Sequence, residues 1–281
     1  MGKFDGVLIA SDYDNTLAYT AGAMESGGDL PPLSAANREA ICHFMAQGGR
    51  FSVCTGRALA SFLAVKGDLP TNAPAILSNG AAIYDLERGS YLYTDYLPPE
   101  ARHCVAQVLS AHPHVAAEVY HEDAEAHILQ PNEVTHRHLK LTRLPLTELH
   151  DAQQLPLPIC KVLFEAEPSA MPELRTYIAA QPWSAQYETV LSNPMLLELT
   201  AKNADKGTAV CRLAKILGCD MAHVYCAGDQ ANDLPMLRRS AIPFAPANAI
   251  ETVLQMPGLH ILPDCRDDAI AAMVAELEKI Y

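Results

Sequence analysis

Two short apolar runs, each ending abruptly in acidic residues, constrain the fold of this chain more than any other feature. They lie at residues 7–10 (Val-Leu-Ile-Ala) and 223–227 (His-Val-Tyr-Cys-Ala). Such runs are typical of strands buried on both faces of a parallel sheet, and ligands bind beyond the carboxyl ends of those strands. We therefore expect the acidic residues that follow to meet in one crevice. These residues are Asp12, Asp14, Asp229 and Asp233.

The segments around the two runs alternate between strand and helix patterns. A helix pattern with Ser34 as its N-cap precedes a strand at residues 50–54, and residues 75–78 read as a third strand. Further helices begin at Lys206 and cover the last turns of the chain, with apolar residues at helical spacing up to Ile280. Strand, helix, strand at this spacing predicts parallel pairing with right-handed crossovers. We predict a doubly wound, mostly parallel, Rossmann-like α/β core.

The composition changes between about residues 84 and 190. Seven of the eleven histidines fall between His112 and His150, and strand-like stretches alternate with helix-like ones. This change in composition and this alternation of strand-like and helix-like stretches predict an inserted α+β domain. We place the core at residues 1–84 and 191–281 and the inserted domain at residues 85–190.

Composition and charge exclude several classes of protein. With 49% hydrophobic residues and 19% charged residues, the chain can bury a core and is neither disordered nor a coiled coil. Its net charge of −13 argues against nucleic-acid binding, which needs a basic face. Eight scattered cysteines without a C-x-x-C pair indicate reduced thiols. We expect a cytoplasmic monomer or homodimer without a signal peptide or membrane span.

Converging carboxylates repel one another unless a cation neutralises them. Carboxylate and carbonyl oxygens suit Mg²⁺, which commonly bridges to a phosphate. Thr55, Gly56 and Arg57 form a strand-to-helix turn whose free amides favour an anion, and Lys206 at a helix start adds a positive charge. The residues therefore predict a phosphoryl-transfer site.

The order of these segments resembles the haloacid dehalogenase superfamily. Its four signature motifs match Asp12-x-Asp14-x-Thr16, Thr55-Gly56-Arg57, Lys206-Gly207 and Gly228-Asp229-x-x-Asn232-Asp233. The insertion between the second and third motifs resembles the type-IIB cap, and residues 245–249 (Ala-Pro-Ala-Asn-Ala) resemble the segment after motif four in the Cof-type phosphatases. Tyr13 and Asn15 replace the usual Leu and Gly, at positions without a catalytic role.

The resemblance implies a Mg²⁺-dependent phosphatase acting on a small phosphorylated metabolite, most simply a sugar phosphate or a similar monoester. Asp12 is then the nucleophile that forms an aspartyl-phosphate, and Asp14 is the acid and base. Lys206 and Thr55 hold the phosphoryl group. Mg²⁺ is bound by the Asp12 carboxylate, the Asp14 backbone carbonyl and Asp229, with Asp233 in support.

Other residues are assigned to the substrate with less support. Gly56, Arg57 and Asn232 belong to the matching motifs, and Asn79 closes the third strand near the expected crevice. Arg57 is equally explained as a structural arginine, and Asn79 as part of a plain turn. Lys202 competes with Lys206 for the role in motif three, but a helix and Gly207 follow Lys206 directly.

Other interpretations stay open at this point. The aspartyl-phosphate could pass its phosphoryl group to another sugar hydroxyl, as in a phosphomutase, or the chain could bind a phosphorylated ligand without turning it over. The histidine pairs at His112 and His114 and at His136 and His138 suggest a second metal site, but no Cys or Glu at zinc spacing stands nearby. We expect these histidines to be solvated or hydrogen-bonded.

Overall fold

The computed structural model describes residues 2–22, 31–122, 126–142, 144 and 146–281. Within these residues the chain forms two compact units. The core unit consists of Met1–Gly56, Lys66–Tyr93 and Asp205–Tyr281, and the insert unit consists of Arg57–Val65 and Thr94–Ala204. The expected interruption of an α/β core by an α+β segment is thus present in the structure.

The strands and helices alternate through the core unit and cluster by sheet in the insert unit. The strands in the described residues are β1 Leu8–Ser11, β2 Arg50–Val53, β3 Ala75–Leu77, β4 Ala82–Asp85, β5 Ser90–Thr94, β6 Ala116–His121, β7 Ala126–Leu129, β8 Leu146–Leu149, β9 Ile159–Glu165, β10 Tyr187–Asn193, β11 Leu196–Ala201, β12 Val224–Ala227, β13 Pro243–Pro246 and β14 His260–Leu262. The α-helices are α1 Ala35–Ala46, α2 Leu59–Val65, α3 Ala101–Ala111, α4 Glu133–Thr142, α5 Met171–Ala179, α6 Lys206–Leu217, α7 Leu234–Leu237, α8 Glu251–Leu254 and α9 Ala269–Ile280.

The main sheet of the core unit is parallel throughout and has the order β14-β13-β12-β1-β2. The two strands made by the apolar runs are direct neighbours, with Leu8 opposite Val224 and Ser11 opposite Ala227. Every residue of β1 and β12 is buried. The prediction of doubly buried parallel strands is confirmed, and the pairing places the two acidic segments at the same edge of the sheet.

The third predicted strand, β3, lies beside β2 through a parallel bridge between Cys54 and Ile76. It then turns through Ser78–Gly80 into the antiparallel strands β4 and β5. These two strands fall partly in the range that the sequence assigned to the inserted domain, but they belong to the core unit.

Two helices of the core unit, α1 and α6, begin at side-chain caps. Ser34 accepts a hydrogen bond from the Asn37 amide at 3.1 Å before α1, as predicted from the sequence. Asp205 accepts one from the Thr208 amide at 2.8 Å before α6. From there α6 buries Val210 and Leu213 against the central strands in one hydrophobic cluster. The cap and the buried face together determine where α6 starts.

The insert unit contains a six-stranded sheet of order β10-β11-β9-β6-β7-β8, antiparallel except for the parallel pair β7 and β8. On one face, residues such as Val119 and Phe164 pack with α3 and α5 in a large hydrophobic cluster. On the other face, Leu163 packs with Val134 of α4 and with Ala58 just before α2.

The boundaries between the units differ from those expected. Residues 195–199 (Met-Leu-Leu-Glu-Leu) are an apolar run that predicts a strand, which β11 confirms, but the boundary expected at residue 191 assigned this run to the core. In the structure β11 pairs with β9 and β10, and the chain returns to the core unit only at Asp205. All six residues of β11 are buried. A strand buried on both faces carries the same apolar pattern in either sheet, so the pattern could not decide between them.

In the part of the chain that the structure describes, no helix combines the length and the apolar character needed to cross a membrane.

A substitution at Gly80 tests how closely the turn after β3 packs against the start of α6. The φ of +100° at this glycine is disfavoured for other residues, and a Cβ there would lie 2.3 Å from the Asp205 carbonyl oxygen. We expect Gly80→Ala to lower the free energy of unfolding by about 3 kcal/mol, because strain and overlap add. At Gly89 φ is +66° and the nearest atom is 3.8 Å away, so Gly89→Ala should cost only about 1 kcal/mol.

Urea unfolding followed by circular dichroism measures both changes. Equal losses for Gly80→Ala and Gly89→Ala would show that the close approach to Asp205 is not significant.

Candidate active site

The two acidic segments meet at the carboxyl ends of β1 and β12. Asp12 directly follows β1, and its amide donates to the Ala227 carbonyl at 2.8 Å. Carboxylate oxygens of Asp12, Asp229 and Asp233 lie within 4.8 Å of one another, and all three residues are buried. The expected crevice therefore brings together side chains from opposite ends of the sequence.

Lys206 lies between two of these carboxylates. Its Nζ donates to Asp12 Oδ1 and to Asp233 Oδ1, each at 2.6 Å, and the side chain is only 1% exposed. The next residue, Gly207, lies so close to α7 that a Cβ would be 2.3 Å from the Pro235 carbonyl oxygen. A glycine after the lysine is thus required by packing. Lys202, the rival, belongs to the insert unit and pairs with Glu188 at 3.2 Å.

The second oxygen of Asp233 is also engaged. Asp233 Oδ2 accepts hydrogen bonds from the backbone amides of Asp229 and Gln230, each at 2.9 Å. This carboxylate therefore folds the loop after β12 back on itself and holds Lys206 at the same time. Its two oxygens already accept three hydrogen bonds, so it is better suited to supporting a metal site than to direct ligation.

Asp229 is oriented by two side chains that the sequence interpretation did not assign to the site. Thr16 Oγ1 donates to Asp229 Oδ1 at 2.9 Å, and Gln230 Nε2 donates to Asp229 Oδ2 at 3.2 Å. Thr16 stands in the first motif and could have been inferred from it. No comparable signal marks Gln230, because a glutamine beside an aspartate is common on any surface.

The electrostatics of the cluster favour a cation. Burial raises the pKa of Asp12 well above its usual range, and repulsion from Asp233 and Asp229 adds to this while Lys206 opposes it. Burial and Asp233 raise the pKa of Asp229 to about 7. Burial lowers the pKa of Lys206, but the carboxylates outweigh it and raise that pKa well above normal. When all three carboxyl groups are ionised, they exceed the one ammonium by two negative charges, which a divalent ion would neutralise.

Asp14 lies in a tight turn beside this cluster and is half-buried. The turn is closed by the Asn15 amide, which donates to the Ala18 carbonyl at 2.7 Å, and Asn15 adopts the left-handed conformation with φ of 58°. Asn248 Nδ2 donates to the Asn15 carbonyl at 2.8 Å, which fastens the turn to the segment after β13. Asn tolerates this conformation almost as Gly does, so Asn15 can take the place of the Gly that is usual in the first motif.

Four of the five residues proposed to bind phosphate or substrate belong to the core unit, and the fifth, Arg57, belongs to the insert unit. Thr55 and Asn79 lie together at the ends of β2 and β3, where the Asn79 amide donates to the Thr55 carbonyl at 3.1 Å. Asn232 Nδ2 donates to Asn79 Oδ1 at 2.9 Å, which joins them to the loop after β12. Asn232 Oδ1 is buried and has no hydrogen-bond partner among the described residues, so this oxygen can accept a hydrogen bond from a ligand. Gly56 ends this stretch of the core unit, whereas Arg57 belongs to the insert unit.

The donor set fits Mg²⁺. Asp12 and Asp229 offer hard carboxylate oxygens, the site carries surplus negative charge, and hydrogen bonds already orient Asp229. Oriented carboxylates of this kind are the ligands that Mg²⁺ takes from proteins.

Comparison with known proteins agrees with this geometry. A haloacid dehalogenase-like hydrolase from Bacteroides thetaiotaomicron superposes with a TM-score of 0.82 at 21% identity, covering 98% of this chain and 100% of the other. The subclass IIB sugar phosphatase BT4131 superposes with a TM-score of 0.80 at 19% identity, covering 97% and 99%. At these identities the likeness shows the shared fold.

Sequence relatives extend the comparison. The 5-amino-6-(5-phospho-D-ribitylamino)uracil phosphatase YwtE of Bacillus subtilis is 28% identical over 86% of this chain and 88% of its own length. The HMP-PP phosphatase of Serratia proteamaculans is 26% identical over 77% of this chain and 78% of its own. Residues 9–274 match the family described as haloacid dehalogenase-like hydrolase. The chain therefore belongs to the haloacid dehalogenase-like hydrolases and is an enzyme of the phosphatase class.

Proposed function

We propose that this enzyme hydrolyses a small phosphorylated metabolite, a sugar phosphate or similar monoester, in a Mg²⁺-dependent reaction through an aspartyl-phosphate on Asp12. One observation carries the proposal. The buried Asp12 carboxylate lies 2.6 Å from the Lys206 ammonium and within 4.8 Å of two further carboxylates, at the carboxyl edge of the parallel sheet. The proposed nucleophile therefore lies beside a fixed ammonium and beside carboxylates that can bind a metal ion.

Asp12 acts as the nucleophile in the first step. One oxygen, Oδ1, is held by Lys206, so the carboxylate is fixed in orientation and the other oxygen is left to attack phosphorus. The P–O bond to the organic group breaks as the Asp12–phosphorus bond forms, and Asp14 gives its proton to the leaving oxygen. Water, losing a proton to Asp14, then attacks the aspartyl-phosphate and releases inorganic phosphate.

Fixed positive charge stabilises the phosphoryl oxygens during both steps. Lys206 supplies an ammonium that needs no reorganisation, because Asp12 and Asp233 already hold it. Thr55, Gly56 and Asn232 would contact the same oxygens, with Asn79 holding Asn232 in place. Arg57 of the second motif is proposed as a further substrate-binding residue.

Mg²⁺ would be held by the Asp12 carboxylate, the Asp14 carbonyl and Asp229, with Asp233 supporting this arrangement through Lys206 and the amides of its loop. When bound, the ion neutralises charge on the phosphoryl group. Thr16 and Gln230 keep Asp229 turned toward that position.

The substrate class rests on the insert unit and on the relatives. The insert unit has its own sheet and core, and we propose that it is a cap that selects the organic part of the substrate. The two relatives described above carry names of phosphatases for a phosphorylated ribitylaminouracil and for HMP-PP. Small phosphorylated metabolites are therefore the first substrates to test.

The eight cysteines are free thiols, which supports placing the enzyme in the reducing cytoplasm.

Replacing the nucleophile gives the most direct test. Asp12→Asn keeps the shape of the side chain but removes the attacking charge, so kcat should fall by at least about a thousandfold. Phosphate release from a panel of monoesters, with Mg²⁺ present, measures this. Asp267→Asn, at an exposed position, should leave turnover unchanged. Retention of more than a tenth of the activity in Asp12→Asn would exclude Asp12 as the nucleophile.

Asp14→Asn tests proton transfer separately. Loss of an acid and base should lower kcat for alkyl phosphates by about 10²- to 10⁴-fold. With p-nitrophenyl phosphate, whose leaving group needs no proton, a burst of p-nitrophenol followed by slow turnover is expected, because phosphorylated Asp12 then accumulates. Stopped-flow absorbance resolves the burst. Equal losses for both substrates without a burst would contradict the assignment.

Metal removal tests the cation. Treatment with EDTA should abolish turnover, and Mg²⁺ should restore it. Asp229→Asn should raise the Mg²⁺ concentration for half-maximal activity by more than about 100-fold, and Thr16→Val by about 10- to 100-fold, since it removes only an orienting hydrogen bond. Asp68→Asn, on the exposed surface, serves as the control. Full activity in EDTA would rule out the metal requirement.

A further inference from the structure

A second buried cluster of metal-binding side chains lies within the insert unit and has no part in the mechanism above. It consists of Glu118 on β6, Glu165 on β9 and His138 on α4, whose ligand atoms lie within 4.8 Å of one another. Both glutamates are completely buried. We propose that these three residues form a binding site for a divalent transition metal, with Zn²⁺ as its occupant.

The sheet and one helix bring the three side chains together. Glu118 pairs with Leu163, and Ala116 pairs with Glu165, so the two glutamates are diagonal neighbours on one face of adjacent antiparallel strands. Helix α4 covers this face. It carries Thr135 and His138 three residues apart, and both contact Glu165.

The three atoms that face one another in this cluster cannot all be hydrogen-bonded at the same time. His138 Nδ1 hydrogen-bonds to Glu118 Oε2 at 3.1 Å and also lies 2.9 Å from Glu165 Oε1. One ring nitrogen carries at most one proton, so it can serve only one of the two oxygens. Glu165 Oε1 is accordingly a fully buried oxygen that has no hydrogen-bond partner within the described part of the chain. A metal ion would interact with all three atoms at once.

The outer oxygens are held as ligand carboxylates usually are. Tyr120 donates its hydroxyl proton to Glu118 Oε1, and Thr135 Oγ1 donates to Glu165 Oε2 at 2.5 Å. Each carboxylate therefore has one oxygen anchored by the protein and the other turned toward His138. This division between an anchored and a free oxygen is typical of metal-binding carboxylates.

The dimensions and the donor types suit zinc. Zn²⁺ binds imidazole nitrogen and carboxylate oxygen at about 2.1 Å, which places tetrahedral ligand atoms about 3.4 Å apart. The observed separations of 3.1 Å and 2.9 Å would open by only a few tenths of an ångström. The fourth position would be taken by water. The oxygen and nitrogen ligands distinguish this cluster from the all-carboxylate cluster of the core unit.

The competing occupant is a proton on His138. Burial lowers the pKa of His138, but Glu118 and Glu165 outweigh it and raise that pKa to about 10. The two buried glutamates carry the negative charge that attracts either cation, so the experiment must distinguish a proton from a metal ion.

The test uses the full chain with the core cluster disabled. Asp12→Asn combined with Asp229→Asn removes two of the three core carboxylates, so zinc that remains bound reports on the insert unit. After dialysis against Zn²⁺ we expect one zinc per chain by elemental analysis and a rise in the unfolding temperature with Zn²⁺ concentration. This result does not depend on whether the enzyme hydrolyses phosphate monoesters.

Substitutions in that background assign the site. His138→Asn should weaken zinc binding at least a hundredfold and abolish the rise in unfolding temperature. Glu165→Gln, which keeps the side-chain shape, should do the same if His138→Asn fails to fold. His136→Asn, on the same helix but exposed, is the matched control and should bind zinc normally.

Two outcomes would overturn the proposal. One is the absence of stoichiometric zinc in the Asp12→Asn, Asp229→Asn protein, or zinc binding that neither His138→Asn nor Glu165→Gln weakens. The other is a ¹⁵N NMR spectrum in which His138 remains an imidazolium with saturating Zn²⁺. That result would make the cluster a charge network closed by a proton.

Discussion

The arrangement of the core unit depends on a balance of charge at the ends of two neighbouring strands. Parallel pairing of β1 with β12 forces Asp12 close to the loop that carries Asp229 and Asp233. Buried carboxylates at this spacing would oppose folding by desolvation and repulsion. The Lys206 ammonium, with hydrogen bonds of 2.6 Å to two of them, offsets part of this cost. The remaining negative charge is what makes the site fit for a divalent cation.

The same constraint explains features at some distance from the carboxylates. Lys206 can reach both partners only if α6 begins where Asp205 caps it and where Gly207 lets α7 approach. Asp233 must bind the amides of its own loop to keep its other oxygen on Lys206. Asp205, Gly207 and Asp233 therefore act on Asp12, the proposed nucleophile, through Lys206. The site is therefore a property of several loops packed on one sheet edge.

Several elements of this structure could be predicted because their causes are local. The apolar runs of β1 and β12 indicate buried strands, Ser34 indicates a helix start, and acidic residues at strand ends indicate a ligand site. The assignment of residues 195–201 could not be made in this way. Their strand is buried on both faces in the sheet of the insert unit, as it would be in the core sheet. Hydrophobic pattern records burial but does not record which neighbour provides it.

The sequence by itself determined the parallel α/β core, the interrupting α+β segment and most of the side chains that lie around Asp12, because the order of the motifs and the ends of the strands can be recognised in the sequence. Only the tertiary structure decided which oxygens of those carboxylates accept hydrogen bonds. It also showed that Thr16 and Gln230 orient Asp229. It alone brought His138 to Glu118 and Glu165, although these glutamates follow no zinc spacing relative to the histidine in the sequence. The physical reason is that a ligand cluster is defined by distances between atoms, and strand pairing and helix packing set those distances between residues remote in the chain.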